Sequence, residues 1–389
     1  MRPPRFTLVL IVAAQFAGTS LWFAGNAMLG ALAPLWSDVE GAVAWMTSGV
    51  QLGFIAGTLT FALSGVSDRV AAHRLFFVSA VAAAASTVLS LLAPASFLWF
   101  LATRVATGFF LAGVYPVGMK LAASWFPKGL GTAIGWLVGA LVLGTAFPHL
   151  LSSVQLDPVT LTVATGTLAA LAGVVVRVWV PEGPAVRSAP TTSMRDTLAV
   201  FRDARVRSAA FGYFGHMWEL YAFWAFVPVV LTSVLPSASP SEVSLVSFSV
   251  IAAGAVGCVV GGVWSSRVGS VRVARTMLTL SGTCALLSAL VFAVAPSWVV
   301  VVFVIVWGAS AAGDSPQFSA VAASASPPER VGTVLTLINA TGFALTIASL
   351  QLLGLLVELF SPTLVFIALV PGPLLGVWAF RHAEHGRAR

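Results

Sequence analysis

Apolar runs long enough to cross a lipid bilayer recur along the whole chain of 389 residues, with little polar sequence between them. Crossing about 30 Å of hydrocarbon at about 1.5 Å per residue takes about twenty residues in a helix. Twelve runs approach or exceed that length: residues 6–33, 42–64, 75–93, 96–123, 130–151, 158–180, 208–235, 242–265, 273–294, 297–324, 332–357 and 362–380. With 58% hydrophobic and 8% charged residues and a mean hydropathy of +0.97, the chain cannot clothe a water-soluble surface. Lipid tolerates no unpaired backbone, and barrel strands are short and alternating, so the runs are read as helices and the fold as an all-α integral membrane protein.

The basic residues orient these spans. Arg2 and Arg5, Arg69 and Arg74, Lys120 and Lys128, the arginines of the central linker, Arg267, Arg272 and Arg275, Arg330 and the tail arginines all fall on one face of a strictly alternating topology. The opposite loops carry Asp38, Glu40, Asp157, Glu242 and Glu358 and no base. By the positive-inside rule both termini are cytoplasmic, and the protein is expected in the cell (inner) membrane. That distribution accounts for a pI near 10.4 without nucleic acid as a partner. The first span is far longer than a signal-peptide core of about 7–15 residues and is read as a retained helix. Cys258 and Cys284 lie inside spans and offer neither a disulfide framework nor a metal spacing.

The chain is also duplicated. Gly108, Gly113, Pro116 and Pro127 recur 200 positions later as Gly308, Gly313, Pro316 and Pro327, across spans 4 and 10 and the loops that follow. The loops after spans 2 and 8 repeat at an offset of 198. The only long polar stretch divides six spans from six. The expected organisation is an N-terminal six-helix bundle, 1–180, a cytoplasmic linker, 181–207, and a C-terminal six-helix bundle with a short tail, 208–389. Met194 to Phe201 is read as a short surface helix or plain linker. Parallel repeats of this kind build a large class of transporters with a substrate site near midplane.

The loop Ser64-Gly65-Val66-Ser67-Asp68-Arg69-Val70-Ala71-Ala72-His73-Arg74 resembles the motif between helices 2 and 3 of the major facilitator superfamily, with Ser64 and Ala71 in place of glycines. Its copy, Gly262-Val263-Trp264-Ser265-Ser266-Arg267-Val268-Gly269, has Ser266 where the acid belongs. Arg104-Val105-Ala106-Thr107-Gly108 resembles the family's motif on helix 4. The resemblance implies twelve helices in two pseudo-symmetric bundles, a cavity lined by helices 1, 4, 7 and 10, and gating roles for Asp68, Arg69, Arg74 and Arg267. It also implies a transporter, with no cofactor and no catalytic or metal centre, working as a monomer.

Ionisable residues deep in the spans are few: Arg104 on span 4, His216 and Glu219 on span 7, and Asp314 on span 10. Such groups are costly in lipid and mark function by default. Counted along the helices, Arg104, Glu219 and Asp314 each lie roughly 16–18 Å from the cytoplasmic boundary, close enough in depth to meet. The Arg104 fork suits a carboxylate or phosphate, and Asp314 is its expected partner when substrate is absent, with Glu219 as the alternative. His216 and Glu219, three apart, share a face with Gly212, Gly215 and Phe223. Glu219, His216 and Asp314 are candidate proton carriers, since burial and neighbouring charge move carboxyl and imidazole groups into a working range.

Gly313 and Pro316 weaken span 10 around Asp314. Trp22, Asn26, Tyr115, Tyr221, Trp224 and Gln317 complete the expected substrate site, and Gln15, Gln51 and Asn339 are weaker candidates. His149 is placed at the outer interface. Gly131, Gly135, Gly139 and Gly144 read as a close-packing seam. The expected function is proton-coupled, alternating-access transport of a small organic solute, an anion by virtue of Arg104. The alternatives are proton-driven efflux of hydrophobic or amphiphilic compounds, and a non-transporting sensor or scaffold. Catalytic motifs such as H-E-x-x-H and G-x-S-x-G are missing, so an enzyme is not expected.

Overall fold

The computed structural model describes residues 6–36, 38–126, 130–184, 199–327 and 330–380, with the backbone alone described at 33, 67, 68 and 130–132. It is helical almost throughout, with no strand among the described residues. The helices, numbered by span, are α1 (Thr7–Thr19), α2 (Ala42–Ser64), α3 (Ala72–Leu89), α4a (Phe97–Leu111) with α4b (Tyr115–Trp125), α5 (Leu130–Ser153) and α6 (Pro158–Trp179). The second set is α7 (Ala204–Val234), α8 (Pro240–Val268), α9 (Ser270–Val294), α10a (Ser297–Gly313) with α10b (Ser315–Ala325), α11 (Val331–Leu359) and α12 (Val365–Phe380). Ten of the twelve are long and apolar enough to span a membrane, and α1 and α12 are shorter apolar helices in the expected first and last places.

The first span is therefore not the single helix expected over 6–33. After Thr19 the chain turns through residues 20–23, then continues in short pieces, Ala24–Ala27 and Leu29–Leu32. No proline causes this. The Thr19 hydroxyl bonds back to the Gln15 carbonyl at 2.8 Å and the Ser20 hydroxyl to that of Ala17 at 2.7 Å, contacts that compete with the helical ladder. Spans 4 and 10 break at matching places. Gly113 precedes α4b and Gly313 ends α10a, while Pro116 and Pro316 sit in the first turns of α4b and α10b, where a missing N–H costs nothing.

The duplication extends from sequence into packing. A Cβ at Gly108 would stand 2.0 Å from the Val50 carbonyl oxygen, and one at Gly308 2.0 Å from that of Val250. Gly57 faces the Phe109 carbonyl at 2.2 Å and Gly257 that of Ala309 at 2.0 Å. Glycine and contacted carbonyl thus repeat together at an offset of 200, so α2 meets α4a as α8 meets α10a, backbone to backbone. The expected glycine seam on α5 is narrower than read. Gly144 closes on the Phe16 carbonyl of α1 at 2.2 Å, Gly139 leaves 3.8 Å to Ala255, Gly135 faces nothing within 4 Å, and the side of Gly131 lies outside the description.

The two bundles join where α2 packs on α11 and α5 on α8. Four hydrogen bonds join them toward the end bearing the acidic loops. Gly41 N–H donates to Glu358 at 2.6 Å, Gln351 to Ser48 at 2.9 Å, Ser241 to the Ser153 carbonyl at 2.7 Å, and Ser244 to Ser152 at 3.3 Å. Most of the expected surface helix at 194–201 lies outside the described residues.

Candidate functional site

Arg104 is buried, 2% exposed, but it does not meet either acid. Its guanidinium donates to the Leu21 carbonyl at 3.1 Å and to the Trp22 carbonyl, both in the break of the first span. This corrects the expected pairing with Asp314 or Glu219. Carbonyls released from a helix inside lipid must find donors, and a fork with several N–H groups can serve two at once. Its Nε has no partner.

The acids lie in the other bundle. Glu219 on α7 accepts from Trp307 Nε1 of α10a at 2.6 Å and from the Ser281 hydroxyl of α9 at 2.8 Å, one bond to each carboxyl oxygen. An indole N–H only donates, whereas a hydroxyl donates or accepts. The carboxyl can therefore take a proton on the Ser281 side and donate it back without losing a hydrogen bond.

One turn earlier on α7, His216 Nδ1 lies 2.7 Å from Asp314 Oδ1, at the break between α10a and α10b. The two atoms are within ion-pair distance, a pairing that is ionic only when the imidazole is protonated, and lack the alignment of a hydrogen bond. His216 Nε2 and Asp314 Oδ2 have no hydrogen-bond partner, and the imidazole is flanked by Tyr213 and Phe318, at centroid distances of 5.6 and 5.9 Å. Cys258 of α8 donates to the Ala312 carbonyl at 3.2 Å, meeting one of the carbonyls this break exposes.

Between the bundles lies an aromatic stack. Trp22 faces Tyr221 at 5.6 Å and Phe343 at 5.7 Å, and Phe54 lies 5.0 Å from Trp22 and 4.8 Å from Phe343. Phe23 extends it toward Tyr221 and Trp224, at 6.3 and 6.4 Å. These rings are buried, and the indole nitrogens of Trp22 and Trp224 have no hydrogen-bond partner. His149, expected at an interface, is instead buried beside Phe23 at 6.3 Å, its Nε2 unpartnered.

The structure thus brings Trp22, Tyr221 and Trp224 together across the bundles, and His216 with Asp314. It leaves Arg104 and Glu219 in separate bundles. Asn26 donates to Thr47 at 2.7 Å, within the N-terminal bundle. Gln317 is buried in the first turn of α10b, and Tyr115 is half-buried at the start of α4b. Gln15 and Gln51 are buried with unpartnered amides. Arg69, Arg74 and Arg267 are exposed at the basic end, and the Asp68 side chain lies outside the description. Trp307, Ser281, Phe54 and Phe343 were not among the expected site residues. The only signal for Trp307 is an indole N–H inside an otherwise apolar span, which needs a partner wherever it is buried.

Twin helical bundles with matched broken helices, an ionisable centre inside one and an aromatic seam between them define a membrane transporter of the repeat-built class. The sequence pattern described as the Major Facilitator Superfamily matches residues 57–235 and 209–389. The chain belongs to that superfamily. No curated protein sequence matches it significantly. Among solved structures, the human organic anion transporter TETRAN has a TM-score of 0.75 at 17% identity, covering 98% of this chain and 100% of that one. The nucleoside transporter NupG gives 0.70 at 14% identity, covering 97% and 99%. A bacterial homolog of the human lysosomal transporter Spinster, inward-facing and unoccupied, gives 0.63 at 16%, covering 99% and 96%. At these identities the likeness establishes the fold alone.

Proposed function

We propose that this membrane transporter is proton-coupled and moves a small aromatic or amphiphilic organic solute past the cross-bundle ring stack. The bundles 1–180 and 208–389 rock about that seam, joined by the linker 181–207, in a monomer of the cell (inner) membrane with both termini cytoplasmic. In this orientation the end at which the bundles are hydrogen-bonded to each other is the outer one. The observation that carries the reading is Glu219, held by one donor-only group and one reversible hydroxyl, a turn away from the His216–Asp314 pair. Buried acids without a Lys or Arg partner suit a proton carrier better than a static ion pair.

Reconstituted into proteoliposomes, Glu219→Gln abolishes uphill solute movement driven by a pH gradient and preserves counterflow, because exchange needs no net proton transfer. Uphill movement at the wild-type rate in this variant refutes the coupling.

A second reading, an organic anion as solute, is supported by the unpartnered Arg104 Nε and by the likeness to TETRAN, an organic anion transporter. Here a solute carboxylate displaces the Leu21 and Trp22 carbonyls from the guanidinium. Arg104→Lys then weakens binding of a carboxylate solute about tenfold more than binding of its methyl ester, since ammonium lacks the bidentate fork. An equal effect on both removes this reading.

A further inference from the structure

At the basic end of the C-terminal bundle, the first turns of α7 and α9 and the last turn of α10b enclose a cavity of about 590 Å³. Arg205, Arg272 and Arg275 line it, and no carboxylate appears in its described lining. Its volume falls in the range of small-molecule pockets, about 300–1,000 Å³. Three guanidinium groups around one concave space repel one another unless an anion sits among them. Arg275 already has an interaction of its own, so the argument rests on Arg205, Arg272 and the backbone beside them.

That backbone is the start of α9. Gly269 holds a φ of 89°, a value that favours glycine, and turns the chain so that Ser270 and Arg272 enter the wall of the cavity. Among the described residues no side chain caps the first turn of α9. The equivalent turn in the other bundle is finished with an anion. Ala72, 198 positions before Ser270, donates its N–H to the Glu182 carboxylate at 2.6 Å. One bundle therefore meets the positive end of this helix with its own acid, and the other surrounds it with arginines.

We propose that this cavity binds a phosphoryl anion, carried by an acidic phospholipid headgroup or by free phosphate. Guanidinium forks match phosphate oxygens bidentately, and the Ser324 hydroxyl on α10b adds a neutral donor. Because Asp314 is the N-cap of α10b, an anion here ties the first turns of α7 and α9 to the helix that follows the buried acid. The site itself does not depend on the proposed solute or on proton coupling.

The test uses the purified full-length protein in phosphatidylcholine nanodiscs, read by thermal stability. One arm titrates inorganic phosphate against chloride at equal ionic strength. The other replaces part of the phosphatidylcholine with phosphatidylglycerol. Stabilisation in the phosphate arm supports a free anion, and stabilisation confined to the lipid arm supports a headgroup. In either case Arg205→Gln with Arg272→Gln weakens the apparent affinity about tenfold or more, whereas Arg202→Gln, an exposed neighbour outside the cavity, leaves it unchanged. If the double variant does not fold, Arg272→Lys keeps the charge and still lowers affinity through loss of the fork. No stabilisation in either arm overturns the proposal, as does an equal loss in Arg202→Gln. Stabilisation that emerges only after removal of residues 381–389 overturns it too, because the chain's own tail then fills the cavity.

Discussion

In the N-terminal bundle the buried charge is spent on backbone: Arg104 secures the carbonyls of Leu21 and Trp22 where the first span breaks. In the C-terminal bundle the corresponding depth holds acids engaged by side chains, Glu219 by Trp307 and Ser281, Asp314 by His216. The helix pairs around them are packed alike, glycine against carbonyl, with Gly108 on Val50 and Gly308 on Val250. Duplication therefore preserved the backbone contacts and let the polar contents diverge. A carbonyl ligand cannot titrate, whereas a carboxyl with a reversible partner can exchange a proton. The backbone anchoring and the proposed proton carriers accordingly fall in different bundles.

This division can be broken experimentally. Arg104→Gln should have the largest effect on stability, because it orphans two buried carbonyls at about 1–3 kcal/mol each. Its thermal midpoint should fall well below that of Glu219→Gln, while the stoichiometry of proton to solute stays at the wild-type value. A variant that keeps its midpoint but loses coupling would reverse the assignment of the bundles.

Next in size, Gly108→Ala and Gly308→Ala should each cost about 1–3 kcal/mol, since each new methyl meets a carbonyl oxygen at 2.0 Å. Equal losses in denaturation of the purified protein sharpen the likeness of the two bundles, and unequal losses show that one seam yields more readily.

The smallest difference concerns the loops. The Thr160 hydroxyl and the backbone N–H groups of Thr160 and Val159 hold the exposed Asp157 carboxylate below the usual carboxylate range. A depressed folded pKa stabilises the protein above the unfolded value near 3.8 and is lost as pH falls through the folded one. Asp157→Ala should therefore lower the midpoint slightly at neutral pH, and the gap should close on acidification. Before α12 the matching loop instead pairs Ser361 with Thr363, so Ser361→Ala should show no such closure.

Much of this fold was legible in the chain. Spans 2 to 11 follow from length and hydropathy because a helix is the form that satisfies its own backbone in lipid. The duplicated glycines and prolines announced the repeat, and Gly313 with Pro316 the break of span 10, while the matching break of span 4 came only with the structure. The break in span 1 was hidden because its hydroxyl back-bonds use residues that also sit comfortably in intact helices. Phe54 and Phe343 were equally silent, since a single Phe in an apolar helix faces lipid as readily as a partner ring. Trp307 gave no signal beyond an indole N–H in an apolar span, and only the packing of α7 on α10a placed Glu219 beside it.

Sequence by itself determined an all-α membrane architecture, its duplication and the small set of ionisable residues within it, because hydropathy, glycine spacing and charge are properties of the residues themselves. The tertiary structure decided their partners. Arg104 found carbonyls, which every residue carries and no sequence pattern marks, and His216 found Asp314 only because two helices from distant parts of the chain were brought within 2.7 Å.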